Sequence, residues 1–197
     1  MDAEKQILFL IRKLEKKDVT FDQGLSEKEL AEIERLFEFC FPEDWRNFLK
    51  VKVPTSSGFV DWRGTLKSKK AQEEIWDRLN WPLDGLLGSI EGGYFWYDAW
   101  GEKPQSFEEQ KSIVVEKFKR YPKLVPIYLH RYIPSEPNES GNPIFSVHQS
   151  DTIYYGSDLA HYLAHEFVFK LRSSMFEVIE PPKRIVFWSE LVDINNA

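Results

Sequence analysis

Two histidines, His161 and His165, lie four residues apart in a segment with helical periodicity. On a helix this spacing puts both imidazoles on one face, where they could chelate a metal ion. A zinc site also needs a third protein ligand, and Glu166 points about 100° away from His165 on a helix. The order His-Glu-x-x-His, which zinc proteases use, is absent. We therefore expect solvated or partner-facing histidines and no metal site.

The residue types of a hydrolytic triad occur close together at Ser146, His148 and Asp151. Ser146 and His148 are two apart on a predicted strand, so their Cα atoms are about 6.5–7 Å apart, too far for a reliable nucleophile–base hydrogen bond. The chain has no Gly-x-Ser-x-Gly elbow, and the glycine-rich residues 85–93 lack the Lys-Ser/Thr of a phosphate-binding loop. The sequence thus predicts no catalytic residue, no cofactor and no enzyme. Asp151 is instead expected to cap a turn.

His130 and Arg131, near the end of a predicted strand, are the best polar candidates for a defined role. Arg131 could pair with an acidic group of a partner, or it could bridge to a carboxylate of its own fold. Of these two alternatives we weigh the second ahead of the first.

The charge distribution points to a binding surface in residues 71–110. This acidic window holds nine acidic and two basic residues, a net charge of −7 against −6 for the whole chain, and four of the seven tryptophans. Aromatic anchors among carboxylates suit a basic protein partner, whereas a nucleic-acid-binding surface needs a basic stripe. A tryptophan core beneath a solvated acidic face is an equally open alternative. The candidate contact residues are Glu73, Trp76, Asp84, Glu91, Trp96, Asp98, Trp100 and Glu102 in the window, together with His130 and Arg131.

Composition sets the outer bounds. A length of 197 residues with 42% hydrophobic content suits one domain, or a domain with an N-terminal extension. The only cysteine, Cys40, excludes an internal disulfide framework, and its position between Phe39 and Phe41 predicts a buried thiol. The apolar run from Ile7 to Ile11 is too short for a membrane span and short for a signal peptide. We expect a cytosolic protein that does not associate with membranes.

Helical periodicity and end signals predict most of the helices. The clearest starts are two capping boxes, in which Ser26 pairs with Glu29 and Ser106 pairs with Glu109. A fourth helix is predicted over residues 65–79, ended by Trp81-Pro82, and the glycines of residues 85–93 should keep the next stretch non-helical. The others are residues 2–17, the helix after Ser26, a short helix opened by Pro42, the helix from Ser106 to Pro122, about 158–171, and a final apolar element from Ile185 to Val192.

Three strands are predicted in sequence, at Leu124–Pro134, Gly141–His148 and Thr152–Gly156. Their loops are too short for a crossover helix, so the strands must pair antiparallel as a meander. A further short strand is predicted at Gly58–Trp62. The fold class is therefore α+β, with helices packed against a mainly antiparallel sheet in a single domain.

The same strands carry a resemblance to a known family, and it covers roughly residues 25–170. It rests on Val125-Pro126-Ile127, His130-Arg131-Tyr132 with Pro134, Gly141-Asn142-Pro143, Asp151, and Tyr155-Gly156-Ser157-Asp158-Leu159, preceded by Phe41-Pro42 with Trp45, Phe48 and Leu49, and by Phe95-Trp96 with Trp100-Gly101 and Pro104. In order and spacing these blocks resemble the bacterial SUKH proteins, which are relatives of the fungal cell-wall assembly regulators of the Smi/Knr type. The resemblance divides the chain into an N-terminal helix or extension at 1–24, a SUKH-like domain at 25–172 and a C-terminal segment at 173–197 that packs on it.

Members of this family are mostly described as immunity proteins that bind and neutralise toxin domains. The resemblance therefore implies a non-enzymatic protein that blocks a toxin domain, such as a basic nuclease, by direct binding. The alternative is a regulatory or scaffold protein like the fungal relatives, in cell-wall assembly or stress. An enzyme is the third alternative, because none of the candidate groups of catalytic residues has a workable geometry.

Overall fold

The centre of the fold is an antiparallel meander of four strands, in the order β3-β4-β5-β6. The computed structural model describes residues 3–196, so the predicted helix start at residue 2 and the outer limits of the predicted segments at residues 1 and 197 lie outside the described residues. The strands are β1 Phe21–Gln23, β2 Lys52–Pro54, β3 Leu124–Tyr128, β4 Arg131–Pro134, β5 Ile144–His148 and β6 Asp151–Gly156. The helices are α1 Ala3–Glu15, α2 Glu27–Phe37, α3 Glu43–Val51, α4 Lys69–Glu91, α5 Phe107–Phe118, α6 Leu159–Glu166 and α7 Trp188–Asn195.

The α+β class is confirmed, but the first predicted strand is in fact two. Leu124–Pro134 folds back on itself as the β3–β4 hairpin, with Leu129 at a φ of 47° in the connecting turn. Leucine is rare in this left-handed region, so no turn signal in the sequence marked the reversal. The hairpin places His130 in the turn and Arg131 at the start of β4.

Each face of the meander covers its own hydrophobic core. Val125, Ile127 and Ile133 face a first core built with α1, α2, α3 and α6, in which Leu14, Ile33, Phe48 and Leu163 are buried. Tyr132, Phe145 and Val147 face a second core, built with α5, α7 and the C-terminal half of α4, in which Val114, Trp188 and Leu86 are buried. Successive strand residues alternate between the two cores because side chains of a strand point to opposite faces.

The two outer segments of the chain are part of these cores. Ile7, Leu10, Ile11 and Leu14 of α1 are buried in the first core at the spacing that the sequence predicted, and Phe176 packs there too. Ile185, Phe187 and the buried side of α7 complete the second core. Both capping serines also lie where they were predicted, Ser26 with a complete capping box and Ser106 accepting from the backbone N–H of Glu109.

The prediction that the fourth helix ends at Pro82 is wrong, since α4 continues to Glu91 with Pro82 inside it. Proline lacks an N–H, so the carbonyl of Arg78 loses its helical partner. The hydroxyl of Tyr132 donates to that carbonyl over 3.0 Å and replaces the missing bond. Burial raises the pKa of Tyr132 to about 12, which keeps the hydroxyl protonated as a donor.

The glycines after Pro82 also serve packing and do not break the helix. A Cβ on Gly85 would lie 2.9 Å from Cα of Gln149, so only glycine lets the β5–β6 turn approach α4 this closely. Ser89, one turn further on, accepts a hydrogen bond from the backbone N–H of Ser150 at 3.2 Å and donates to the carbonyl of Gly85. The meander thus holds the inner side of α4 at two places.

Three other expectations need correction. Cys40 is exposed, because Phe39 and Phe41 on either side both point into the first core and an extended segment alternates. The strand predicted at Gly58–Trp62 is reduced to one bridge between Phe59 and Tyr128. The helix predicted to reach residue 171 ends at Glu166. Within residues 3–196, no helix combines the length and the apolar character that crossing a lipid bilayer requires.

Candidate protein-binding surface

The outer face of α4 carries a line of four carboxylates, from Glu73, Asp77, Asp84 and Glu91. At 3.6 residues per turn these positions fall within an arc of about 40°, and their spacing along the axis is about 27 Å from first to last. All four residues are exposed. We call this face, together with the two tryptophans described next, the α4 outer face.

Two exposed tryptophans flank the line of carboxylates on opposite sides. By helical geometry Trp76 lies about 75° to one side of the line and Trp81 about 65° to the other. Trp76 is 36% exposed and packs one edge against Phe37 at 5.5 Å between ring centroids, and Trp81 is 52% exposed. Large aromatic side chains left this open at the surface are typical of anchors in protein interfaces.

The charges at the two ends of α4 do not favour the helix, although Lys70 and Glu74 form an ion pair at 3.8 Å within it. Lys69 and Lys70 stand in its first turn and Glu91 is its last residue, which opposes the helix dipole at both ends. Among the ion pairs of residues 3–196, none involves any carboxylate of the α4 outer face. These carboxylates therefore remain available to an external partner.

The inner side of α4 is fixed to the body by the only arginine of the helix. The guanidinium of Arg78 donates to the carbonyl of Leu129 at 2.6 Å and, more weakly, to that of Gly58. Burial lowers the pKa of Arg78, and its guanidinium is directed into the protein and away from the outer face. Together with the bonds from Tyr132 and Ser150, this makes α4 a rigid support.

The second half of the acidic window, after α4, combines buried or half-buried tryptophans with exposed carboxylates. Trp100 is only 7% exposed and packs in the second core, where it stacks near Phe187 at 5.9 Å. Trp96 is half-buried, and its indole N–H donates to the carbonyl of Gly101. Asp98 and Glu102 are exposed in the same loop. Of the window's four tryptophans, Trp100 is thus a core residue and cannot serve as a surface anchor.

Arg131 is engaged within its own fold, which was the alternative that the sequence favoured. It is 9% exposed, donates to Glu166 at 3.1 Å and to the Ser146 hydroxyl at 2.8 Å, and lies 3.7 Å from the ring centroid of Tyr155. These contacts fasten α6 to the meander. His130 beside it is half-buried, and burial, with a smaller effect from the charge of Arg131, lowers the pKa of its imidazole.

The residues first considered for chemistry are not brought together. Nδ1 of His161 contacts both carboxylate oxygens of Asp158 at 2.8–2.9 Å, whereas the ring of His165 lies against that of Tyr155 at 4.8 Å. Ser146 accepts from Arg131, and His148 is exposed opposite Asp151 across the β5–β6 turn. Asp151 is itself exposed at the start of β6.

Comparisons with known proteins identify no relative of this chain. No protein-family model, no curated protein and no solved structure matches the chain. The arrangement of side chains is therefore what any functional assignment depends on. Sequence reasoning left Asp77 and Trp81 out of the contact residues. Asp77 lies one turn after Glu73 within the predicted helix and could have been included, whereas the position of Trp81 on the helix follows only when α4 continues through Pro82.

Proposed function

We propose that this chain is a cytosolic, non-enzymatic immunity protein of the SUKH type, which binds a basic toxin domain through the α4 outer face and blocks its active site. The observation that supports this proposal is the line of four carboxylates without ion pairs, flanked by Trp76 and Trp81, on a helix fastened from behind. The family part of the proposal rests on the resemblance of residues 25–170.

The charges on this face match what a toxin that cleaves nucleic acids presents. Such an enzyme binds a polyanion, so its active-site cleft is positive. A row of carboxylates about 27 Å long can follow that cleft as phosphates would. Exposed charges accelerate the encounter, and aromatic anchors slow dissociation once the complex has formed. The two elements therefore contribute to different rate constants and can be tested separately.

The first observation is whether a toxin domain is encoded beside this gene, since its absence favours the regulatory or scaffold alternative. With that domain as partner, association and dissociation rates are measured at about 0.05 M and about 0.5 M ionic strength. The variant pair Glu73→Lys with Asp84→Lys reverses two charges on the α4 outer face. The pair Asp22→Lys with Asp151→Lys changes the net charge equally on exposed strand residues. We expect the first pair to slow association at low salt by about tenfold or more and the control pair by less than about threefold.

Equal slowing by both pairs would mean that net charge alone steers the partner and that α4 is not the contact surface. In a third variant, Trp81→Ala should raise the dissociation rate without changing the association rate by more than about twofold. If the chain does not bind the neighbouring toxin domain at all, the immunity function is wrong, and the regulatory or scaffold alternative takes its place.

A further inference from the structure

A second candidate site is a groove that shares no residue with the α4 outer face. It has a volume of about 490 Å³ and lies between α1, the start of α3, the start of α6 and the segment 175–179. The side chain of Gln6 in α1 donates to the carbonyl of Met175, which ties two of its walls together. This volume is within the range that small organic ligands occupy.

Three acidic residues line this groove: Asp44, Asp158 and the exposed Glu177. The residue Asp44 is partly accessible from the groove, but its carboxyl group is surrounded by protein and accepts from the backbone N–H of Trp45 at 2.9 Å and of Gly141 at 3.1 Å. Asp158 caps α6 by accepting from the backbone N–H of His161 at 2.8 Å. Both carboxylates accept from backbone N–H groups, and the oxygens of Asp158 also contact Nδ1 of His161 at 2.8–2.9 Å.

Within the part of the chain that the structure describes, no basic side chain is bonded to Asp44, whereas the carboxylate of Asp158 contacts the imidazole of His161, which does not line the groove. Among the described residues that line it, none is a lysine or an arginine. Lys183, which reaches the neighbourhood of Gly141, is bonded to Glu139 and to the carbonyl of Ser140. Burial, and to a smaller extent the charge of Asp158, raises the pKa of Asp44 to about 6. Ionised carboxylates in such surroundings are stabilised by a cation that enters from outside.

The rest of the lining is largely apolar. Ile7 and Leu10 of α1, Phe48 of α3, Leu159 of α6 and Phe176 form most of the remaining wall. A fully hydrated ion would leave these side chains in contact with water and would gain nothing from them. A ligand with one cationic end and an aliphatic body would match both parts of the lining. The carboxylates would pair with the cationic end, and the apolar wall would remove the aliphatic body from water.

We propose that the groove binds an aliphatic primary ammonium ligand, with its ammonium group between Asp44 and Asp158 and its alkyl chain against Ile7, Leu10 and Phe176. An ammonium group is compact and has three donors, so it can bond to both carboxylates at once and to the side-chain amide of Asn47, which also lines the groove. A metal ion is a poorer fit, since no group of three or more potential metal ligands occurs within residues 3–196.

The test is isothermal titration of the full chain with n-hexylammonium at about pH 8, where a ligand of this size should bind with a dissociation constant of about 1 mM. Three comparison compounds separate the contributions: 1-hexanol has the chain without charge, hexanoate has the opposite charge, and methylammonium has the charge without the chain. Each should bind at least about tenfold more weakly than n-hexylammonium.

Two variants locate the bound ammonium. Asp44→Asn and Asp158→Asn should each weaken binding by about tenfold, and asparagine at position 158 remains a good helix cap, so the second variant folds even if the first does not. The matched control Asp151→Asn removes one exposed charge outside the groove and should leave binding unchanged. Undetectable binding of n-hexylammonium by the unmodified protein, binding of 1-hexanol with equal affinity, or unchanged binding in Asp158→Asn would each overturn the proposal.

Discussion

The α4 outer face and the interior of the protein contain the same residue types in opposite surroundings. On the outer face, Asp84 and Trp81 are exposed to water. In the interior, the carboxyl group of Asp44 is enclosed at the wall of the groove, and Trp100 is buried in the second core. The outer residues can contribute to encounter with a partner while adding little to stability, whereas the inner ones affect the free energy of unfolding directly. Surroundings, and not residue type, separate the two roles.

The two tryptophans should give the largest difference. Trp100→Ala removes a ring that packs against Phe95 and Phe187, and we expect a loss of about 3–5 kcal/mol in the free energy of unfolding. Trp81→Ala, which removes a half-exposed ring, should cost less than about 1 kcal/mol. Urea unfolding followed by circular dichroism measures both variants. Equal losses would show that Trp81 belongs to the packing of the body and is not a free anchor.

The hydrogen bond from Tyr132 that supports α4 should have a smaller effect on the free energy of unfolding. Tyr132→Phe leaves the carbonyl of Arg78 without a donor, so it should cost about 1–3 kcal/mol. In the Pro82→Ala background the new N–H can bond to that carbonyl, and the same substitution should then cost at least about 1 kcal/mol less. Urea unfolding of the four proteins completes the cycle. A cost of Tyr132→Phe that is the same in both backgrounds would mean that the hydroxyl does not replace the missing helical bond.

Replacing Asp44 and replacing Asp84 should give the smallest difference in the free energy of unfolding, but the clearest difference in its pH dependence. The pKa of Asp44 in the folded protein, about 6, is above its ordinary value of 3.8, so the folded state binds the proton more tightly. The stability that this group provides is thus complete below about pH 4 and is lost as the pH rises through about 6. Asp44→Asn should therefore stabilise the protein by about 1–2 kcal/mol at about pH 8 and by almost nothing at about pH 4.

Asp84→Asn is the matched control for this prediction, because it removes one exposed carboxylate from α4 and should change stability by less than about 0.5 kcal/mol at either pH. Urea unfolding at the two pH values measures both variants. If Asp44→Asn changes stability equally at about pH 4 and about pH 8, the carboxyl group of Asp44 is solvated and the contrast between the two aspartates fails.

The sequence was sufficient for those elements whose signals are local. Ser26 and Ser106 marked their helices because a capping box consists of residues three apart, and the stripe of α1 followed from its spacing. The course of α4 was not predictable in this way. Pro82 and Gly85 are helix-breaking signals locally, and they are tolerated only because Tyr132 and Gln149, distant in sequence, meet them in the fold.

Only part of the candidate surface could be predicted, because exposure also depends on contacts distant in sequence. The count of charges pointed to residues 71–110, and Glu73, Asp84 and Glu91 lie in one exposed line on α4 with Trp76 to one side of it. A count cannot distinguish exposed from buried tryptophans, so Trp100 was included and Trp81 left out. The groove was outside the reach of sequence reasoning, because Asp44 and Asp158 are more than a hundred residues apart and each alone reads as a residue at a helix start.

The contact between the two ends of the chain has a consequence for synthesis. Gln6 bonds to Met175, separated by 169 residues in sequence, and Phe9 packs against Phe176 at 5.6 Å. The second core is completed still later, by Phe187 to Val192. Contacts this distant in sequence raise the contact order and slow folding. A nascent chain can form α1 and α2 early, but the first core cannot close before Phe176 has left the ribosome, and the second cannot close before Val192 has.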